Sequence, residues 1–195
     1  ATLGGLRATA QMISYELALG LAFVGPILLA GSMGILDIVI AQKKLWYIFL
    51  QPLAFILFYV ATLAEANRGP FDMPEAEQEL VAGYLTEYSG MKFAVFFMAE
   101  YGKMIAVAMI GVSLFLGGFL SPVGFLSKIP VVGILFGNGP HWLFLKTLIW
   151  LYTQIWVRAT LPRVRFDQLM SLGWKVMFPL GLLNTIITAI AIVAL

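Results

Sequence analysis

Residues 177–195 read MFPLGLLNTIITAIAIVAL, a stretch without a charged side chain. A helix that crosses a lipid bilayer needs about 20 mostly apolar residues, so this stretch predicts a spanning helix. Earlier stretches of the same character, the second of which contains Gln51-Pro52, cover residues 8–30, 45–63, 93–119 and 142–161. The sequence therefore predicts an all-α fold, a polytopic transmembrane bundle of about five spanning helices.

The composition supports a lipid environment and excludes several kinds of site. Of the 195 residues 61% are hydrophobic and 11% charged, with a mean hydropathy of +0.94, whereas ordinary soluble chains are roughly 45–50% apolar and about 25% charged. The absence of cysteine excludes disulfides and cysteine-ligated iron–sulfur or zinc sites within this chain, and a single histidine, His141, excludes paired-histidine haem ligation. The net charge of +2 gives no nucleic-acid footprint.

The loops predict a single membrane domain over residues 1–195 and its orientation. Residues 120–140 are too interrupted by proline and glycine to span, and predict an interfacial loop. Lysine and arginine outside the spans are concentrated on the cytoplasmic side of membrane proteins. The predicted cytoplasmic (or mitochondrial matrix) side carries Arg7, Arg68, Lys92, Arg158, Arg163, Arg165 and Lys175, against Lys43, Lys44 and Lys128 on the other side.

Acidic residues are concentrated in one predicted cytoplasmic loop and the start of the span that follows it. Of the 10 acidic residues, the ones from 65 to 100 are Glu65, Asp72, Glu75, Glu77, Glu79, Glu87 and Glu100. One interpretation is a helix start, because Asp72 and Glu75 have capping-box spacing and acids favour a helix N-terminus. The other is a functional cluster, which we favour because Glu75 and Glu79 would repel each other at a cost of about 0.2–0.5 kcal/mol.

Besides Lys146 near the start and Arg158 near the end of the fourth predicted span, three charged residues fall inside predicted spans. Glu16 lies about a third of the way into the first span, and Glu100 and Lys103 lie three residues apart on one face of the third. Ionisable groups at such depth cost about 2.5–3.5 kcal/mol on insertion scales and face a cavity or a partner. They form either an internal pair that locks helices together or, as we favour, part of a proton-conducting or charge-sensing chain.

The acidic loop also carries a resemblance. Residues 65–84, EANRGPFDMPEAEQELVAGY, and 86–93, TEYSGMKF, closely resemble the quinone-binding membrane subunit of respiratory complex I, the proton-pumping NADH:quinone oxidoreductase. Residues 6–16, LRATAQMISYE, and 96–101, FFMAEY, match the same family in the same order. Members of that family have about eight spanning helices, so the resemblance implies that this chain is the C-terminal part of a longer subunit.

The resemblance implies roles for particular residues. The quinone chamber and coupling loop, beside the peripheral arm, would contain Arg68, Asp72, Glu75, Glu77, Glu79 and Glu87. The intramembrane axis leading toward the antiporter-like subunits would contain Arg7, Glu16, Glu100 and Lys103. The chain would hold no redox centre, catalytic residue or metal of its own. It would couple reduction of a quinone substrate to proton translocation.

The resemblance also implies partners and a location. FMN and the iron–sulfur clusters would belong to partner subunits, and lipid, peripheral quinone-module subunits, small membrane subunits and antiporter-like subunits would surround the chain. The expected location is the bacterial inner membrane or, as an alternative, the mitochondrial inner membrane. Three other functions remain: the membrane anchor of an energy-converting hydrogenase, a proton-coupled secondary transporter, and a scaffold whose charges only staple subunits together.

Overall fold

A computed structural model describes residues 2–66, 70, 71, 89–122, 137–162 and 164–194, with the side chains of residues 3 and 4 excepted. These residues form helices and no strand, which confirms the all-α prediction for this part of the chain. The helices are α1 Thr2–Ala30, α2 Ile35–Ala41, α3 Tyr47–Leu50, α4 Pro52–Glu65, α5 Gly90–Phe115, α6 Pro140–Thr160, α7 Phe166–Ser171, a π-helix Leu172–Met177 and α8 Phe178–Ala194.

Three of the described helical segments are long and apolar enough to cross a membrane. They are residues 5–30, 90–115 and 166–194, the last combining α7, the π-helix and α8. The apolar helix α4 is shorter, with 14 residues, and α6 has 21. The molecule is therefore a polytopic membrane protein, and the total of five spans stays a prediction.

The second predicted span is not one continuous helix. It is divided at Gln51, whose backbone leaves the helical region with φ −133° and ψ 62°, and α4 begins at Pro52. Proline lacks an N–H and disfavours the helical conformation of the residue before it, so the break coincides with the Gln51-Pro52 pair. The Gln51 side chain donates a hydrogen bond of 2.9 Å to Thr188 Oγ1 on α8.

The third span also ends earlier than predicted, at Phe115 rather than residue 119. Gly117 and Gly118 adopt positive φ values of 69° and 47°, a conformation that stops a helix and that glycine accepts without a steric penalty. The carbonyls left open at this end are satisfied by side chains from other helices. The Gln42 amide donates to Ser113 O and Leu114 O at 2.9 and 3.1 Å.

Lys146 on α6 completes that closure. Its ammonium donates to Leu116 O, Gly118 O and Leu120 O at 2.6, 3.1 and 2.7 Å, and it lies 4.3 Å from the centre of a Trp46 ring. The side chain is buried. A buried ammonium must be hydrogen-bonded, and here the carbonyls of the α5 terminus accept all three of its protons.

The core lies where α1, α4, α5 and α6 meet, and it is largely aromatic. The Phe58 ring lies 5.3 Å from Phe23, 5.5 Å from Phe115 and 6.0 Å from Trp150, centre to centre. Gly111 of α5 lets these rings approach the helix backbone. A Cβ at this position would lie 2.7 Å from Phe58 Cε1 and 2.8 Å from Trp150 Cη2.

Gly111→Ala is therefore expected to destabilise the protein by about 1–3 kcal/mol, the usual cost of overpacking a core. Gly102→Ala on the same helix is the matched control, because nothing lies within 4 Å of a Cβ there. Thermal unfolding of the full-length protein in detergent measures both variants. Equal midpoints would contradict the packing described for Gly111.

Candidate functional site

The structure describes the four predicted intramembrane residues but not the predicted loop residues. Arg7 and Glu16 lie on α1, and Glu100 and Lys103 lie on α5. Outside the described residues lie Arg68, Asp72, Glu75, Glu77, Glu79 and Glu87, together with Arg163 and Lys128. The site can therefore be built from its intramembrane side.

Lys103 forms an ion pair across two helices. Its Nζ atom lies 2.7 Å from Glu65 Oε1, at the C-terminal end of α4, and also donates to the Glu65 backbone carbonyl at 2.8 Å. The Glu65 side chain is 14% exposed and that of Lys103 is 37% exposed. Because the pair is partly withdrawn from solvent, loss of one charge costs more free energy here than it would in a fully exposed surface pair.

The second oxygen of Glu65 is a further feature of this pair. Glu65 Oε2 is buried and accepts no hydrogen bond from the described residues. A buried carboxylate oxygen without a donor is costly, so this atom is suited to accept a hydrogen bond from a further polar group. Glu100 precedes Lys103 by about one helical turn, so an acidic side chain lies near the pair on α5.

A row of buried polar side chains on α1 faces the same end of the bundle. Gln11, Ser14 and Tyr15 are all buried and lie on one face of the helix, at spacings of three and four residues. The Gln11 amide donates to Ala64 O at 2.6 Å and to Phe71 O at 2.9 Å. These two carbonyls directly precede Glu65 and Asp72, so Gln11 holds the start of the acidic connection against α1.

Tyr15 joins α1 to the second predicted cytoplasmic connection, the one that follows α6 and leads into α7. Its hydroxyl donates to Leu169 O of α7 at 2.8 Å, and its ring lies 6.0 Å from the Phe71 ring. The two connections also touch directly, because Val164 N donates to Pro70 O at 3.2 Å. Both connections are thus fastened to α1 close to Glu16.

The π-helix lies against this same part of α1. Trp174 Nε1 donates to Ser14 Oγ at 3.1 Å. Gly173 faces the Tyr15 ring, and a Cβ added there would lie 3.6 Å from Tyr15 Cε2, an ordinary van der Waals distance. Segments of π-helix inside α-helices are rare and are frequent at functional sites. Its sequence, LGWKVM, carries no signal that distinguishes it from a regular helix.

Glu16 is exposed, unlike the buried Ser14 and Tyr15 that precede it. Its side chain is on the exposed face of α1, and among the described residues it forms no hydrogen bond or ion pair. Arg7, more than two turns earlier, is half-buried. A carboxylate on an apolar helix requires a polar neighbour, so the position of Glu16 predicts a contact with another chain or another segment.

A groove of about 360 Å³ lies between α5 and α6, and its lining on α5 begins at Tyr101, the residue after Glu100. Its floor is apolar and its polar lining consists of Tyr101, Gln154 and Arg158. Gln154 is buried, and its Oε1 atom has no hydrogen-bond donor among the described residues. An apolar groove with a few convergent polar groups is typical of a small-molecule site. No cluster of three acidic or histidine side chains that could hold a metal occurs in the described segments.

Comparison with known proteins decides the family of this bundle. The family profile described as NADH dehydrogenase matches residues 1–189. The chain belongs to the NADH dehydrogenase family.

Relatives in this family are similar over nearly the whole chain. The NADH-quinone oxidoreductase subunit designated H in Thermomicrobium roseum is 50% identical over 198 residues, covering 96% of this chain and 54% of the relative. The protein with the same designation in Geobacillus kaustophilus is 53% identical over 190 residues, covering 97% and 54%. One designated H 2 in Geobacter metallireducens is 51% identical over 191 residues, covering 97% and 52%. The chain spans about half the length of the curated relatives it matches.

Several residues of this site are not among the site residues predicted from the sequence. From the sequence, Glu65 is named only as one of the seven acidic residues from 65 to 100, and Gln11 and Gln154 are not named. Glu65 has a usable signal, because it ends an apolar helix just as Lys103 interrupts another. The two glutamines carry no signal, since a glutamine in an apolar helix has the same pattern whether it bonds to backbone or to water.

The ion pair predicts strong coupling between Glu65 and Lys103. Lys103→Met leaves Glu65 partly buried without its cation and should destabilise the protein, whereas the same change in a Glu65→Gln background should cost less. The expected coupling energy is about 0.5–3 kcal/mol. A double-mutant cycle on thermal unfolding of the assembled protein measures it, with Lys92→Met, an exposed lysine near the start of α5, as control. Additive effects would contradict the pairing.

Gln11 predicts a second effect on stability. Gln11→Leu keeps the approximate size of the side chain but removes its donors, so two carbonyls at the start of the acidic connection lose the amide that bonds them. The expected loss is about 1–3 kcal/mol for each carbonyl that stays unsatisfied. Met12→Leu, at an exposed neighbouring position, is the control. Thermal midpoints that do not differ between the two variants would show that Gln11 does not hold this connection.

Proposed function

We propose that this chain is part of the membrane subunit of a proton-pumping NADH:quinone oxidoreductase, and that it couples quinone reduction to proton translocation. The observation that carries the proposal is the Glu65–Lys103 ion pair, placed between apolar helices of a chain in the NADH dehydrogenase family. Titratable pairs withdrawn from water are costly in a membrane, and intramembrane ionisable residues mark ion or proton pathways.

A quinone is the substrate that fits the proposed role. Its ring and isoprenoid tail are apolar, and its two oxygens need hydrogen-bond partners. The groove between α5 and α6 provides an apolar floor with the polar groups of Tyr101, Gln154 and Arg158 beside it. We infer that this groove is one wall of the quinone chamber, with the remaining walls supplied by other parts of the assembly.

The acidic loop would receive the chemical event. A quinone that takes up two electrons becomes a strong base and draws two protons from nearby acids. Because closely spaced carboxylates titrate as a coupled group, proton loss at one changes the charge on its neighbours. The proposed loop set is Arg68, Asp72, Glu75, Glu77, Glu79 and Glu87.

The ion pair would carry the change into the membrane. The loop begins at Glu65, whose Oε1 binds Lys103, while Gln11 holds the backbone beside Glu65 and Asp72. A proton arriving on Glu65 removes the charge that holds Lys103, and Lys103 is then attracted to other carboxylates of the axis. Arg7, Glu16, Glu100 and Lys103 are the proposed members of this axis.

Partners and location follow from the same proposal. The electrons come from an iron–sulfur cluster of a peripheral subunit that receives them from FMN, while antiporter-like and small membrane subunits continue the proton path. The chain is a multi-pass membrane protein, for which we propose the bacterial inner membrane, with the mitochondrial inner membrane as the alternative. The secondary-transporter and hydrogenase-anchor functions are less well supported, because the relatives described above carry neither name.

Glu79→Gln and Glu100→Gln test the coupling. On assembled enzyme in vesicles, each should lower quinone-coupled NADH oxidation or proton transfer across the membrane by at least about tenfold, because a positioned proton-transfer group contributes roughly 10²–10⁴-fold. Both rates are normalised to the amount of intact complex. Asp37→Asn is the matched control, since Asp37 lies in the first turn of α2 and accepts a hydrogen bond from Ser32 outside the proposed axis.

The scaffold function makes the opposite prediction. If the carboxylates only staple subunits together, Glu79→Gln and Glu100→Gln would reduce the amount of assembled complex while the turnover of each assembled complex stays normal. Normal oxidation and normal proton transfer in both variants would overturn the proposed coupling, even with the family unchanged.

A further inference from the structure

A second groove, of about 340 Å³, runs along α6 away from the charged pair. One stripe of α6 forms its long wall, with Trp142, Leu145, Lys146, Ile149, Trp150 and Thr153. Phe55 and Tyr59 of α4 form the opposite wall, and Trp46 stands at one end. This groove is separate from the one lined by Gln154 and Arg158.

The groove has the length of one membrane leaflet. The stripe from Trp142 to Thr153 advances by about 1.5 Å per residue, which corresponds to about 16 Å along the helix axis. The hydrocarbon core of a bilayer is about 30 Å thick, so the groove extends over about half of it. Trp142 lies in the first turn of α6 and Trp46 precedes α3, positions at which tryptophan anchors helices to the membrane interface.

The two hydroxyls at the deep end of the groove are already paired within the protein. Tyr59 Oη donates to Thr153 Oγ1 at 3.1 Å, and Thr153 Oγ1 donates in turn to Trp150 O at 2.7 Å. Both hydroxyl protons are therefore used within the protein. A polar ligand would find no open donor in these two hydroxyls, whereas a hydrocarbon chain requires none.

Two lysines precede Trp46, at the shallow end of the groove, in the sequence. The protons of Lys146 are taken up by carbonyls, but Lys43 and Lys44 are exposed and lie just before Trp46 in the chain. The acidic side chain nearest to them in sequence is Asp37, which already accepts a hydrogen bond from Ser32 Oγ at 2.7 Å. This end can therefore attract a negatively charged headgroup.

We propose that this groove binds a phospholipid with an anionic headgroup, with one acyl chain along the α6 stripe and the phosphate beside Lys43 and Lys44. The proposal combines a leaflet-long apolar groove with charge complementarity at its interfacial end. It requires that the chain lie in a membrane and does not depend on the proposed coupling function. The bound lipid would seal α6 against α4 beside the closed end of α5.

Photolabelling tests this site on the full assembled protein. The protein is reconstituted into phosphatidylcholine vesicles that contain phosphatidylglycerol with a photoreactive acyl chain, and the labelled residues are mapped by mass spectrometry. A parallel sample contains phosphatidylcholine with the same photoreactive chain. Labels are expected on groove residues of α6, with the phosphatidylglycerol probe labelling them more strongly than the phosphatidylcholine probe.

Two sets of variants separate the acyl chain from the headgroup. Ile149→Trp fills the groove and should abolish labelling of the stripe, whereas Leu148→Trp, one residue earlier and outside the groove, should not. Replacing Lys43 and Lys44 by Gln should lower the preference for phosphatidylglycerol by about fivefold for each lysine, since a basic residue near an anionic surface contributes about 1 kcal/mol.

Three results would overturn the proposal. Equal labelling of the groove by both probes would exclude recognition of the negative headgroup. Labelling of exposed positions such as Leu148 and Tyr152 without labelling of the groove would mean that protein covers it. Labelling of the stripe that persists in Ile149→Trp would place the lipid elsewhere on α6.

Discussion

The C-terminal end of α5 depends on a constraint that governs the whole molecule: in a membrane, a polar backbone group must find its partner inside the protein. Gly117 and Gly118 stop the helix and leave its last carbonyls open. Gln42 and Lys146, from other parts of the bundle, close them. Without these donors, unsatisfied carbonyls would lie at the junction of α2, α5 and α6, next to the aromatic core.

The same constraint organises the opposite end of the bundle, where the Glu65–Lys103 pair lies. Gln11 binds two carbonyls at the start of the acidic connection, and Tyr15 binds a carbonyl of α7. Neutral side chains thus hold part of the backbone, while Lys103 both pairs with the Glu65 carboxylate and donates to the Glu65 carbonyl. Loss of either charge would leave its partner unpaired and partly withdrawn from water, while the hydrogen bonds of Gln11 and Tyr15 would remain.

Two of the described helices, α1 and α5, are buried on one part of their surface and exposed on another. The last two turns of α5, from Ala108 onward, pack into the aromatic core, whereas most of its first half, which contains Glu100, is exposed. Glu16 lies on an exposed face of α1. In an apolar environment, a carboxylate on such a face needs a polar neighbour, and relatives of this chain are about twice as long. The exposed faces of α1 and α5 are thus surfaces suited to be completed by further protein.

Local patterns were enough to establish the helical class, the membrane environment and the family, because apolar segment length and a long motif are properties of neighbouring residues. The same patterns predicted one continuous span across Gln51-Pro52, and only the structure divides it at Gln51. Only the folded chain reveals that Lys103 pairs with Glu65 on another helix, that α5 ends on donors from Gln42 and Lys146, and that Gln11 holds the base of the acidic connection. These contacts join residues 26 to 72 positions apart, with no periodicity that marks them. The physical reason is that a buried donor bonds whichever acceptor lies beside it in space, and the pattern of a single segment does not contain that position.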